Sequence, residues 1–283
     1  MAGMDEAPVP GDGDEGDHMT VKRDESGRRS VQVETLVPGT PEEVWAAIAT
    51  GPGISAWFCP SEIEERVGGS FCCHIGPGMD ADGTVTAWDP PRRFAAEAPG
   101  PAPDAPPMAT EWIVEPRAGG VCLVRVVHSL FASTDAWDDQ LEGTESGWPY
   151  FFGVLRLYLT HFRGRPAAII RAMGTTPGAV SDAWDKLTGA LGIPGSAMSE
   201  RWNCRPAGIR PLAGVVERVT EGRQPYALLR LDEPLPGIAA PSTFAAGDQV
   251  MISLGIYLYG DAAAEAAARE EPLWQAWLNE LFE

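Results

Sequence analysis

The chain is short of cysteine and of long apolar runs. Its 283 residues include five cysteines, an odd and sparse set for a disulfide framework, so we expect reduced thiols that pack like small apolar side chains. No stretch approaches the run of about 18 apolar residues that marks a membrane-spanning helix. The acidic N-terminus lacks the apolar core of a secretory signal. We therefore expect a cytoplasmic protein that does not enter a membrane.

Basic residues are also scarce. Lys and Arg number 21 against 40 Asp and Glu, which gives a formal net charge of -19. A field of this sign repels phosphate backbones and anionic lipid headgroups. Nucleic acid and membrane surfaces are therefore not expected as partners.

Sequence motifs for common reaction chemistry are absent. The sequence has no phosphate-binding Gly-Lys loop, no dinucleotide fingerprint, no nucleophile elbow and no His-Glu-X-X-His motif. Cys59, Cys72, Cys73 and His74 are close in sequence but do not have the spacing of metal ligands. We therefore predict no metal and no cofactor, and no motif demands an enzyme.

What is present indicates two globular domains behind a tail. Residues 1–28 are rich in Gly, Asp, Glu and Pro, which predicts a disordered acidic tail. The full chain is 44% hydrophobic, and the part that follows the tail is long enough for two cores. We place the domains at residues 29–165 and 166–283.

The first domain begins with a strand and a capped helix. Apolar residues alternate over Val31–Val37, as in a half-buried strand. Thr40 can then cap a helix that has Pro41 at its first position and Glu43 completing a capping box. Short strand-like runs separated by turns follow over residues 63–128, with a tight turn predicted at Asp80–Gly83.

The domain closes with an unusually apolar helix predicted over Gly147–Phe162. Such a helix must be covered on most sides, and a curved antiparallel sheet would cover it. The order of elements then repeats. Thr176 and Pro177 repeat the cap and first helical residue, and a helical stripe from Leu273 to Phe282 follows Pro272. The second half therefore reads as a diverged copy.

Several motifs give the first half a family resemblance. They are Thr40–Trp45, Ile54–Phe58, Val67–Phe71, Gly83–Val85, Asp89–Phe94 and Gly147–Trp148. In this order and spacing they resemble the SRPBCC (START-like, Bet v 1-like) superfamily, specifically its branch named after the activator of Hsp90 ATPase. The resemblance implies an α+β helix-grip fold, a curved antiparallel sheet wrapped around a long C-terminal helix, here in two tandem copies. It also implies an apolar-ligand cavity between sheet and helix.

The candidate ligand-binding residues come from the central strands and the closing helix, which form the cavity walls in that family. They are Phe71, Trp88, Trp112, His128, Trp148, Phe152 and Tyr158. Each aromatic ring can line a cavity or fill a core. His128 ends an alternating strand and is predicted to point inward, as a ligand hydrogen-bonder, a general base or a satisfied core residue.

Three functions remain open at this stage. The leading one is a module that binds a small hydrophobic molecule. A second is a polyketide cyclase or aromatase-like enzyme, with His128 as the catalytic candidate beside Tyr158 or Asp135. A third is a protein-partner role in regulating an Hsp90-type chaperone. In each case we expect the two copies to pack together as a pseudo-dimer.

Overall fold

A computed structural model of the chain describes residues 21–75, 80–100, 105–132, 135–194 and 198–283. Across these ranges no helix is both long and apolar enough to cross a bilayer. The strands that are described form two antiparallel sheets, one of eight strands and one of six. A long C-terminal helix follows each sheet in the chain, so the fold is α+β in two tandem copies, as predicted.

The first copy has the strand order of a helix-grip fold. Its elements are β1 (Lys22–Arg23), β2 (Arg28–Pro38), α1 (Pro41–Ala49), α2 (Gly51–Ser55), β3 (Ser61–Ile63), β4 (Ser70–His74), β5 (Asp80–Asp89), β6 (Arg93–Ala98), β7 (Met108–Arg117), β8 (Val121–Phe131) and α3 (Asp138–His161). The sheet order is β1-β2-β8-β7-β6-β5-β4-β3. The first long strand therefore pairs with the last, and α3 lies against β2.

The second copy repeats this arrangement with fewer elements. They are β9 (Ala167–Thr176), α4 (Val180–Leu191), β10 (Arg201–Cys204), β11 (Leu212–Val219), β12 (Ala227–Glu233), β13 (Gly237–Ala246), β14 (Gln249–Tyr259) and α5 (Ala263–Phe282). The order β10-β11-β12-β13-β14-β9 again joins the first strand to the last. Within the described part of the chain this copy has one strand fewer in its meander and one short helix where the first copy has two.

The predicted capping box at the start of α1 is confirmed. The Glu43 N–H donates to Thr40 Oγ1 at 3.3 Å, and the Thr40 N–H donates to Glu43 Oε2 at 2.8 Å. Pro41 occupies the first turn, where its missing N–H costs no hydrogen bond. The local sequence therefore determines where this helix begins.

Both long helices start earlier than predicted. The sequence pattern predicts that α3 begins at Gly147 and that α5 begins after Pro272, because proline is best tolerated in the first turn of a helix. The structure instead carries Pro149 and Pro272 inside the helices. In α3 the added turns are held by Leu141, which is fully buried in a cluster with Leu130. Tertiary burial thus outweighs the helical hydrogen bond that proline removes.

Other local predictions also need correction. Asp80–Gly83 belongs to β5, and the glycine is needed because a Cβ there would lie 2.4 Å from the carbonyl oxygen of Glu97 on the next strand. Thr176 ends β9 and caps nothing, since α4 begins after Ala179 without a side-chain cap. Of the predicted tail, residues 1–20 lie outside the described residues, and residues 21–28 contain β1 and a turn.

The second sheet is apolar on both faces. Along β14, Leu254, Ile256 and Leu258 enter the core of the second copy, whereas Tyr257 and Tyr259 belong to the core that contains α3. Since successive side chains of a strand point to opposite faces, one strand serves both cores. Helix α3 is therefore covered by its own sheet on one side and by the outer face of the second sheet on the other.

Candidate functional site

Aromatic side chains fill the space enclosed by the first sheet and α3. All seven predicted ligand-binding residues lie in or against this cluster, namely Phe71, Trp88, Trp112, His128, Trp148, Phe152 and Tyr158. The ring centroids of Trp112 and Trp148 are 5.1 Å apart, and those of Trp148 and Phe152 are 5.3 Å apart. These rings contact one another, so the structure brings the predicted residues together as a packed core.

His128 points inward, as predicted, and both of its ring nitrogens have partners. The Trp148 indole N–H donates to His128 Nε2 at 2.7 Å, and Nδ1 lies 3.0 Å from the Thr110 hydroxyl. Because Nε2 accepts, the neutral ring carries its proton on Nδ1 and donates it to Thr110. Burial lowers the pKa of His128 to about 4, which keeps the ring neutral near pH 7. No hydrogen bond among the described residues joins it to Tyr158 or Asp135.

Tyr158, the seventh predicted residue, lies at the contact between the copies. Its ring stacks on Tyr259 of the second sheet, with the centroids 5.8 Å apart. Tyr259 also stacks on Phe162, just beyond the end of α3, at 4.3 Å. Tyr158 therefore belongs to the same hydrophobic cluster as Trp148 and also takes part in the packing between the copies.

Tyrosine hydroxyls bind the two copies together. Tyr257 and Tyr259 donate to the carbonyl oxygens of Phe58 and Ala56 at 3.2 and 2.9 Å, and Tyr150 of α3 donates to the carbonyl oxygen of Ala240 at 3.0 Å. The first copy thus contributes its helices to the contact and the second contributes the outer face of its sheet. The two copies therefore pack against each other, as predicted, and the surfaces that meet are different.

A cavity of about 280 Å³ remains within this contact. Its walls are the first half of α3 and the segment after α2, and its floor is the outer face of the second sheet. The aromatic side chains that line it are Phe58, Tyr150, Phe151, Tyr226, Phe244 and Tyr257. None of the seven predicted residues lines it. Phe58 and Phe151 separate it from Trp148, whose ring centroid is 5.7 Å from that of Phe58.

The floor of the cavity follows the strand register. Arg171 on β9 is paired with Gly255 on β14, which presents no side chain. One row further along, Met173 is paired with Ser253, and Ser253 is paired with Ser242 on β13. The floor therefore combines small residues with polar groups that can orient a bound molecule, and Tyr150 and Tyr257 lie over Gly255.

The phenols of the cavity are protonated and already hydrogen-bonded. Burial raises the pKa of Tyr150 and raises that of Tyr257 well above its ordinary value, so both phenols stay protonated. Each O–H donates to a main-chain carbonyl oxygen, which leaves the phenol oxygen to accept a hydrogen bond from a ligand. On one side the Gln224 carboxamide donates to the Ser146 hydroxyl at 2.7 Å. Phenols held in this state do not act as general bases near pH 7.

The described residues offer little for a metal ion. They contain no group of three or more His, Cys, Asp and Glu side chains placed to hold one. All five cysteines are free thiols, and four of them are buried. Cys59 and Cys73 both contact the Ser61 hydroxyl, at 3.7 and 3.0 Å.

The family comparison agrees with the fold of the first copy. Residues 38–160 match the family model described as Activator of Hsp90 ATPase homolog 1-like protein. The first copy is thus similar to AHSA1-like domains. The match runs from the end of β2 almost to the end of α3, and it covers less than half of the chain. The second copy resembles the first in the order and pairing of its elements.

Solved structures show similar folds at low identity. DynU16, a putative protein in the dynemicin biosynthetic locus, is 16% identical with a TM-score of 0.41 over 89% of this chain and 96% of its own. BexL, the di-domain ARO/CYC from the BE-7585A biosynthetic pathway, is 16% identical with a TM-score of 0.40 over 90% and 99%.

Another solved structure resembles about half of the chain. Protein MLL2253 from Mesorhizobium loti is 24% identical with a TM-score of 0.42 over 47% of this chain and 97% of its own. No curated protein matches the chain. Likenesses this weak do not bear on ligand or reaction, which must be argued from the site itself.

Proposed function

We propose that this protein binds a small, mainly apolar molecule in the cavity between its two copies. The observation that carries the proposal is the combination of a space of about 280 Å³ with six aromatic side chains and a few polar groups around it. Ligand sites in proteins are typically concave and apolar, with a small number of polar groups that fix orientation. The space lies against the C-terminal helix of the AHSA1-like domain, but the sheet beside it belongs to the second copy.

The interior of the first copy is the alternative binding site. It would use the predicted residues Phe71, Trp88, Trp112, His128, Trp148, Phe152 and Tyr158, which stay a prediction. For a ligand to enter there, rings such as Trp112 and Trp148 would have to separate from their present contact at 5.1 Å. The cavity between the copies needs no such rearrangement, and we favour it for that reason.

Binding fits the cavity better than acid–base catalysis does. Tyr150 and Tyr257 are held protonated by burial, and His128 has both ring nitrogens engaged outside the cavity. A cyclase or aromatase-like reaction would need a group that accepts a proton near the ligand. The protein-partner role in chaperone regulation would not need the cavity at all.

Fluorescence titration with N-phenyl-1-naphthylamine, a neutral apolar dye, tests the proposal. Ser253→Leu places a larger side chain on the cavity floor and should weaken dye binding by about tenfold or more, because the space it fills is the space the dye needs. Thr175→Leu is the matched control, since Thr175 lies on the same face of the second sheet but is exposed and outside the cavity. It should change the affinity by less than about twofold.

Two outcomes would contradict this assignment. If Phe71→Leu weakens binding and Ser253→Leu does not, the ligand occupies the interior of the first copy. If the wild-type protein does not bind the dye and shows no thermal stabilisation with other apolar ligands, the cavity is not a ligand site. A pull-down that captured an Hsp90-type chaperone would then favour the protein-partner role.

A further inference from the structure

The cavity between the copies has one charged side chain in its described lining, Arg171. Acidic residues outnumber basic ones by 40 to 21 in this chain, so the charged residue of the cavity has the less frequent sign. The other lining residues are aromatic, aliphatic or neutral polar. The described lining therefore presents a positive charge, whereas the molecule as a whole has a negative net charge.

The Arg171 guanidinium is held in place without an acidic partner. Its Nη1 donates to the carbonyl oxygens of His74 and Ile75, the latter at 2.7 Å. Among the described residues no carboxylate forms an ion pair with it. The nearby Glu271 carboxylate instead accepts a hydrogen bond from the Arg171 main-chain N–H at 3.2 Å. A guanidinium has five N–H donors, so several remain for a bound molecule.

Two further observations indicate that the positive charge of Arg171 acts inside the cavity. Burial raises the pKa of Tyr257, and the positive charge of Arg171 opposes that rise. Gly255, the residue paired with Arg171, has no side chain, and the Tyr150 hydroxyl would lie 3.3 Å from a Cβ placed there. The neighbouring hydroxyls of Ser242 and Ser253 have no hydrogen-bond partner among the described side chains. A cation and two hydroxyls therefore lie on one face of the sheet.

We propose that the ligand of this cavity carries an acidic group, a carboxylate, sulfonate or ionised phenol, which pairs with Arg171. The inference rests on the proposed binding function and adds the chemical class of the ligand. The aromatic part of the ligand packs against rings such as Tyr150 and Phe244, and the acidic group lies at the guanidinium. The acidic group of the ligand supplies acceptors for guanidinium N–H groups of Arg171 that would otherwise have no partner in a partly buried site.

A matched pair of dyes tests this inference. 8-Anilinonaphthalene-1-sulfonate and N-phenyl-1-naphthylamine share one ring system, and only the first carries an anion. The wild-type protein should bind the sulfonate more tightly. Arg171→Met keeps an apolar stem and removes the charge, so it should weaken sulfonate binding about tenfold, as expected for the loss of one charge-assisted hydrogen bond. It should leave the affinity for the neutral dye within about twofold, and Arg171→Lys should fall between wild type and Arg171→Met.

The neutral dye also controls for loosening of the contact that Arg171 makes with His74 and Ile75. If Arg171→Met weakens the binding of both dyes equally, the Arg171 side chain is a structural link between the copies, and the inference is overturned. If the two dyes bind the wild type equally well, the proposed function stands and the acidic ligand class is wrong. If neither dye binds, the proposed function itself fails, and the inference fails with it.

Discussion

His128 shows how burial alone can determine the state of a residue. Its ring is 7% exposed and is hydrogen-bonded by Trp148 and Thr110 in the neutral form. The low pKa of about 4 follows from burial, since the charged form would lose its hydration. Both ring nitrogens are therefore engaged within the protein, and a role of His128 in ligand binding stays a prediction.

This environment predicts acid sensitivity. The folded-state pKa of about 4 lies below the ordinary value of 6.5, so the unfolded chain binds a proton that the folded chain does not. Stability is therefore intact above about pH 6.5 and falls as the pH is lowered toward 4, by about 3 kcal/mol from this residue. Urea unfolding as a function of pH should show a weaker dependence in His128→Gln across that window.

The comparison is made on slopes, because His128→Gln also disturbs packing and lowers stability at every pH. Trp112→Phe serves as the control, since it disturbs the same core and removes no titratable group. Its slope should equal that of the wild type. An unchanged slope in His128→Gln would show that His128 does not cause the acid sensitivity.

At the scale of elements, α5 protects the open edge of the second sheet. Strand β9 is the last strand of that sheet and would otherwise expose its backbone. The Gln275 side chain replaces a neighbouring strand there. It accepts from the Met173 N–H at 3.0 Å and donates to the Met173 carbonyl oxygen at 2.8 Å. One carboxamide thus satisfies both backbone groups of an edge residue.

Gln275→Met should therefore destabilise the protein by about 1–3 kcal/mol, because it leaves a part-buried N–H and C=O without partners. Chemical denaturation measures the change. Glu280→Met is the control, since Glu280 lies on the exposed side of the same helix. Equal effects of the two substitutions would show that the carboxamide contributes nothing specific.

At the scale of the whole molecule, the two copies share a hydrophobic core. The cluster around α3 includes Leu228, Ile238, Tyr257 and Tyr259 of the second copy. Helix and sheet approach so closely that a Cβ at Gly153 would lie 2.4 Å from a methyl carbon of Leu228. The predicted boundary between residues 165 and 166 therefore separates two sets of secondary-structure elements that share one hydrophobic core.

Residues 29–165 expressed alone should consequently be less stable than the full chain and should associate. Removing the second sheet exposes the side of α3 that carries Tyr150 and Tyr158, and large apolar patches favour aggregation. Size-exclusion chromatography and thermal melting of the fragment beside the full chain measure both effects. A monomeric fragment that melts as cooperatively as the full chain would show that the first copy is independent.

The sequence alone determined the local features of this protein. The capping box of Thr40 and Glu43, the alternation in β2 and the highly apolar α3 depend on residues close together in the chain, so local patterns reveal them. The requirement that α3 be covered on most sides was also correctly predicted. The repeated order of elements was also correctly predicted, because each element has its own local sequence pattern.

The tertiary structure decided what covers α3 and where space remains. The hydrogen bond from Tyr257 to Phe58 joins residues 199 positions apart, and no local pattern predicts such a contact. The cavity arises where the faces of two separately patterned units fail to fill the space between them. An aromatic side chain looks the same in sequence whether it packs in a core, as Trp112 does, or lines a cavity, as Phe244 does, because only the distant partner differs.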